Sequence, residues 1–165
     1  MLLSRTWLPG VLLALALGLA GIGFTAGRTA PEPPPDPVSP RGVSLALSKD
    51  TARPGEELDL TIEGAGSYSI LRGVDSYLER WDGQDWVPEY ALLTPLAPGE
   101  APGVHPLRLG PPIVEQIGLT GPGPERVRLP DDLRPGLYRI RKEVFLEDGD
   151  RSERETLFAR LQVVQ

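Results

Sequence analysis

The only histidine of the chain, His105, stands directly before Pro106; there is no cysteine, and the one methionine is the initiator. These counts restrict the available chemistry. A histidine-led zinc site needs further His or Cys ligands, and a copper site needs Met and His clusters. Thiolate nucleophiles, disulfides and lipobox acylation all need cysteine. A serine triad would have to use His105, yet no G-x-S-x-G sequence exists to position a serine. No catalytic, cofactor-binding or metal-binding residue is therefore assigned, and the chain is expected not to be an enzyme and to use no cofactor.

Other side chains offer weaker chemistry. Glu147, Asp148 and Asp150 surround Gly149 and could present hard oxygen ligands to calcium, but Asp-Gly is also the ordinary turn signal between two strands. Asp131 and Asp132 read as turn residues, because acid–base work needs carboxylates converging on a pocket. Arg139 and Arg141 alternate outward on one strand while Glu153 and Glu155 lead into the next. That pattern suggests a cross-strand charge ladder on a solvated face, with a groove for an anionic polymer as the sharper alternative. Trp81, Trp86 and Tyr90 allow sugar stacking but more simply pack at a hairpin. The net charge of −6 argues against a nucleic-acid partner, since phosphate contacts need a basic face.

These residues must be positioned by strands. Glycine and proline number 19 each, too many helix breakers for a mainly helical chain. Val43–Leu47 and Leu58–Ile62 alternate apolar and polar residues around the turn Arg53-Pro-Gly-Glu56, as strands of a half-solvated sheet do. Tyr68–Leu71 is a short extended piece. Asp75–Trp81 and Trp86–Tyr90 flank the hairpin turn Asp82–Asp85, and Glu125–Leu129 alternates again. Tyr138–Leu146 places Tyr138, Ile140, Val144 and Leu146 on one face; Lys142 interrupts it, with a stem that could carry its charge to solvent. Thr156–Val164 closes the chain. The interval 91–124 holds eight prolines and reads as edge strands at 104–109 and 113–119, or as a long loop able to bind a partner.

Leu133-Arg-Pro-Gly-Leu-Tyr138-Arg-Ile-Arg-Lys-Glu-Val144 resembles the Pro-Gly-x-Tyr-Arg-Ile segment of bacterial immunoglobulin-like domains of envelope proteins. Tyr77–Trp86 is similar to that family's strand pair with a tryptophan after the hairpin, and Arg53–Glu56 to its opening turn. The resemblance implies an all-β fold, an immunoglobulin-like antiparallel β-sandwich of about seven strands over 43–165. In such sandwiches a tyrosine in the position of Tyr138 bonds back to upstream backbone, so its loss is expected to cost stability.

Trp7–Ala26 is uncharged and about 20 residues long, enough to cross a hydrocarbon core of about 30 Å. Residues 1–28 are therefore expected to form a transmembrane or signal helix, with Arg5 ahead of it favouring a cytoplasmic amino end. Gly18/Ala20 or Thr25/Gly27 could serve a signal peptidase. Residues 29–42, TAPEPPPDPVSPRG, read as a proline-rich linker, extended and semi-rigid. Together these features predict a non-catalytic, membrane-anchored, extracytoplasmic interaction module, in a single-pass cell-membrane location or secreted if the leader is cleaved. Its expected partners are the membrane, through the N-terminal helix, and an envelope protein or the cell wall. The alternative is a ligand-binding module for cell-wall glycan or calcium.

Overall fold

The structure, a computed structural model, describes residues 31–73, 75–97, 99–110, 119–120 and 123–165. Its strands are β1 (Ser44–Leu47), β2 (Thr51–Ala52), β3 (Glu57–Glu63), β4 (Ser69–Arg72), β5 (Asp75–Trp81), β6 (Trp86–Leu93), β7 (Gly103–Pro106), β8 (Leu119–Thr120), β9 (Glu125–Arg128), β10 (Gly136–Asp148) and β11 (Arg151–Val163). Strands β1, β3 and β9 make one small sheet; the other eight make a second, ordered β2-β11-β10-β5-β6-β7, with β4 on β10 and β8 on β4. Alternation dictates which side chains meet between them. Leu45, Leu58, Leu60, Ile62 and Val127 from the small sheet join Leu78, Tyr138, Ile140, Leu157 and Leu161 from the large one in a single buried core.

The antiparallel sandwich of about seven strands is corrected by this topology. The domain is all-β, but its larger layer is a mixed eight-stranded sheet. After β1 the chain leaves the small sheet and lays Thr51–Ala52 parallel to the last strand, in the register Gln162↔Thr51 and Val163↔Ala52, through Gln162 N–H to Asp50 O at 2.8 Å and Val164 N–H to Ala52 O at 3.0 Å. A two-residue strand has no period to read, and alternation says nothing about strand direction.

The membrane-spanning helix is corrected as well. Among the described residues no helix is long and apolar enough to cross a membrane. Their one helical element is the three-residue 3-10 turn Leu107–Leu109, about 6 Å long where a span needs about 30 Å. The expected helix at 1–28 lies outside the described residues. The membrane partner, the single-pass location and the membrane-anchored role therefore have no structural footing and are set aside.

β10 and β11, thirteen residues each, form a hairpin in register from Gly136↔Val163 to Asp148↔Arg151. On its other edge β10 changes partner, pairing with β5 over Tyr138–Arg141 and with β4 over Val144–Glu147. The handover falls between the end of β4 at Arg72 and the start of β5 at Asp75. Lys142, which is fully buried rather than reaching solvent, fills this notch, donating to Gly73 O at 2.6 Å and Asp75 O at 3.1 Å. Its charge is balanced from the opposite sheet by Glu125 of β9, whose Oε2 lies 2.7 Å from Lys142 Nζ. Arg72 Nε lies 3.1 Å from Glu125 Oε1, close enough for charge pairing although its N–H is not aligned as a hydrogen bond, and Thr94 donates to the same carboxylate at 2.9 Å. Burial pulls the Lys142 ammonium pKa below 10.5 against the attraction of Glu125.

Candidate functional site

The side chains that converge on one surface lie on the outer face of the large sheet. Trp81 and Trp86 are opposed at the end of the β5–β6 hairpin, with ring centroids 5.4 Å apart and planes inclined at 55°. Arg139 and Arg160 are directly paired across β10 and β11. The Arg139 guanidinium stacks 4.6 Å from the Trp86 ring centroid and 4.3 Å from that of Phe158. Glu79 fixes it from β5, accepting from Arg139 Nε at 2.7 Å and lying 2.8 Å from Arg141 Nε. A planar cation held between rings and a carboxylate keeps its remaining N–H groups aimed outward.

The proline-rich segment lies in this seat. Trp81 Nε1–H donates to Pro31 O at 2.8 Å, Arg160 donates to Pro34 O, and Asp36 is gripped by Arg139 and Arg160, at 2.7 Å to each. From Pro31 to Ser39 only every third residue, Pro33, Asp36 and Ser39, turns from solvent. That is the period of a polyproline II helix lying on one edge. Prolines offer carbonyls and ring faces but no N–H, so a surface that holds them needs donors and flat apolar walls, and the seat supplies both. Residues 31–42 are thus a strap on the domain, and the compact unit begins at Pro31.

The other residues singled out in the sequence lie elsewhere. Arg141 stacks on Tyr77 at 4.6 Å, and the ladder of Arg139 and Arg141 runs to Glu79 rather than to Glu153 or Glu155. Those two stand opposite Leu146 and Val144, and Glu153 pairs with Arg41 at 2.8 Å. A register shift between Leu78 and Glu79 separates Tyr90 from the tryptophan pair. Tyr90 instead donates to Asp132 at 2.9 Å, and desolvation, then that bond, pushes its phenol up to about 12, leaving it a donor rather than a base. It borders a cavity of about 580 Å³ shared with Arg80, Arg108 and Arg134, in which Arg80 is held by Glu89 at 2.7 Å. His105 Nε2 lies 3.0 Å from Gly110 O; a carbonyl only accepts, so Nε2 carries the proton and the ring clamps the 3-10 turn. Asp131 is paired with Arg128 at 2.9 Å, and Glu147, Asp148 and Asp150 are exposed at the β10–β11 turn. Tyr138 is fully buried and its hydroxyl donates to Arg134 O at 3.0 Å.

Sequence reasoning missed Asp36, Arg160 and Phe158. The available signal was one acidic residue among prolines three places after Pro33, in a chain with an outward aromatic–arginine pattern on its last hairpin.

No family model matches the chain, and no curated protein matches it. Among solved structures, the sporulation control protein Spo0M from Bacillus subtilis is similar at 18% identity and a TM-score of 0.36, over 73% of this chain and 48% of that one. The CooA pilin subunit from enterotoxigenic Escherichia coli is similar at 9% identity and a TM-score of 0.28, over 74% of this chain and 99% of that one. The chain thus spans about half the length of Spo0M. Likenesses this weak bring no function to the chain and give no support to the immunoglobulin-like resemblance.

Proposed function

We propose that residues 31–165 form a non-catalytic recognition module whose aromatic–arginine face receives extended, proline-rich segments carrying a carboxylate. The observation that carries this reading is the strap itself. A segment of that chemistry is held through two backbone carbonyls, one buried proline and one doubly gripped aspartate. A non-catalytic role is supported by how the polar groups are used. Glu79, Glu89 and Asp131 pair with arginines, and the His105 ring is committed to a backbone carbonyl.

The test uses the full chain with Asp36→Ala, which loosens the strap, titrated with the peptide PEPPPDPVSP and read by the fluorescence of Trp81 and Trp86. Saturable binding that weakens with added salt is expected, because the aspartate–arginine contact is screened. The same peptide with asparagine in place of its aspartate should bind at least tenfold more weakly. Equal binding of both peptides, or none, would sink the reading.

A further inference from the structure

We infer that the seat also receives the strap of a second copy of this chain, so that two molecules join by exchanging residues 31–37. This rests on the recognition reading above and names its partner. Three observations carry it.

The strap leaves without disturbing the sheets. None of residues 31–38 belongs to a strand, and its hold on the domain is the set of bonds from Trp81, Arg139 and Arg160 together with the buried Pro33. It therefore detaches as a unit, leaving all strand pairing in place.

The chain next to the strap is built as a hinge. Val38 is 87% exposed. Ser39–Gly42 then folds into a turn closed by Gly42 N–H to Ser39 O at 3.1 Å and by the Ser39 hydroxyl, which accepts from Arg41 N–H at 3.1 Å and Val43 N–H at 3.3 Å. Gly42 has φ +72°, so the closed turn depends on a conformation that only glycine takes freely. Opened, with the exposed Arg41–Glu153 pair of 2.8 Å given up, residues 37–42 reach about 20 Å, enough to carry the strap away from its own seat.

An empty seat is selective. Without Asp36, Arg139 and Arg160 face each other with one carboxylate fewer and the surface over Pro33 is uncovered, so the occupant must supply a carboxylate three residues after a proline. A second copy supplies that match by identity, making the bonds of the closed form anew. Exchange of an identical element then depends only on concentration and on the hinge.

The experiment measures the mass of the full-length protein by sedimentation velocity across a hundredfold range of concentration. Wild type is expected to be monomeric when dilute and partly dimeric when concentrated. In Gly42→Ala a side chain at 42 meets nothing within 4 Å, so the change acts on the backbone alone, penalises the closed turn and should raise the dimer fraction at least severalfold. Mixing Asp36→Ala with Arg160→Ala leaves one intact strap and one intact seat on different molecules, so a heterodimer should form in the mixture and in neither solution alone. Monomers throughout, with Gly42→Ala folded by circular dichroism, overturn strap exchange. If the peptide PEPPPDPVSP still binds Asp36→Ala, only the exchange has failed; if it does not, the recognition reading falls with it.

Discussion

Replacing Glu125 by glutamine removes one negative charge from a buried site and leaves Lys142 and Arg72 as two cations with no anion between them. The gross attraction lost is large. With contacts of 2.7 Å to Lys142 and 3.1 Å to Arg72, Coulomb's law at an effective dielectric near 20 gives about 5–6 kcal/mol for each pair. Part of this only offset desolvation in the wild type, and the glutamine oxygen can still accept from Lys142 and Thr94. Its amide, however, turns a second donor towards Arg72. Breaking a buried pair in this way costs about 3–5 kcal/mol, a large share of the roughly 5–15 kcal/mol by which domains are stable. Urea unfolding followed by tryptophan fluorescence, with an unchanged denaturant slope, measures the loss. The sign of its pH dependence is also fixed. Lys142 already has a folded pKa below its unfolded value, and losing Glu125 lowers it further. Between the two values the unfolded chain binds more protons, so stability rises with pH, and because the variant's folded pKa is the lower one, its deficit should shrink as pH rises towards 10.5. Adding Lys142→Met removes one stranded cation, so the double variant should lose less than the sum of the singles. A cost for Glu125→Gln below about 1 kcal/mol and flat with pH would refute the account, because a buried charge left unpaired cannot be so cheap.

Tyr138→Phe deletes the hydrogen bond to Arg134 O and leaves that carbonyl in need of water, so a loss of about 1 kcal/mol is expected in chemical denaturation, with no change in strap peptide binding. Tyr90 has its folded phenol pKa raised to about 12; its contribution is intact below pH 10 and is lost as pH rises through about 12, so Tyr90→Phe should flatten the alkaline fall of the urea midpoint. Gly64 has φ +76°, and a β-carbon there would run into the backbone carbonyl of Gly42; Gly64→Ala should therefore destabilise by more than the roughly 1 kcal/mol of a conformational effect alone, seen as a lower melting temperature.

How far the sequence could be read depended on whether a residue's surroundings were local. Alternation placed β1, β3, β9 and β10 to within two residues, because burial on one face leaves a period-two record at each strand, but it missed the mostly exposed first five residues of β11, Arg151–Glu155. The tryptophan pair was visible from the hairpin turn between its members, and the Tyr138 bond spans only four positions. β2 left no record, since two residues carry no period and a parallel neighbour more than a hundred residues away has no local trace. Lys142 was recognisable as an intruder on an apolar face. Its purpose was not, because the carbonyls it serves at Gly73 and Asp75 lie 69 and 67 positions away and its counter-charge comes from another sheet. Proline content suggested a semi-rigid spacer at 29–42, whereas residues 31–39 lie on the domain because of what Asp36 meets across 103 and 124 positions of chain.

The three-residue beat of the strap makes it tolerant of spelling and intolerant of counting. Glu32, Pro34, Pro35 and Pro37 point away from the domain, so exchanges among them leave the grip unchanged and would look like drift in a low-complexity tract. Dropping a single outward proline between Pro33 and Asp36 is different: it rotates everything on one side by about 120° and swings the carboxylate off both guanidinium groups. Length, more than letter, is what this segment has to keep.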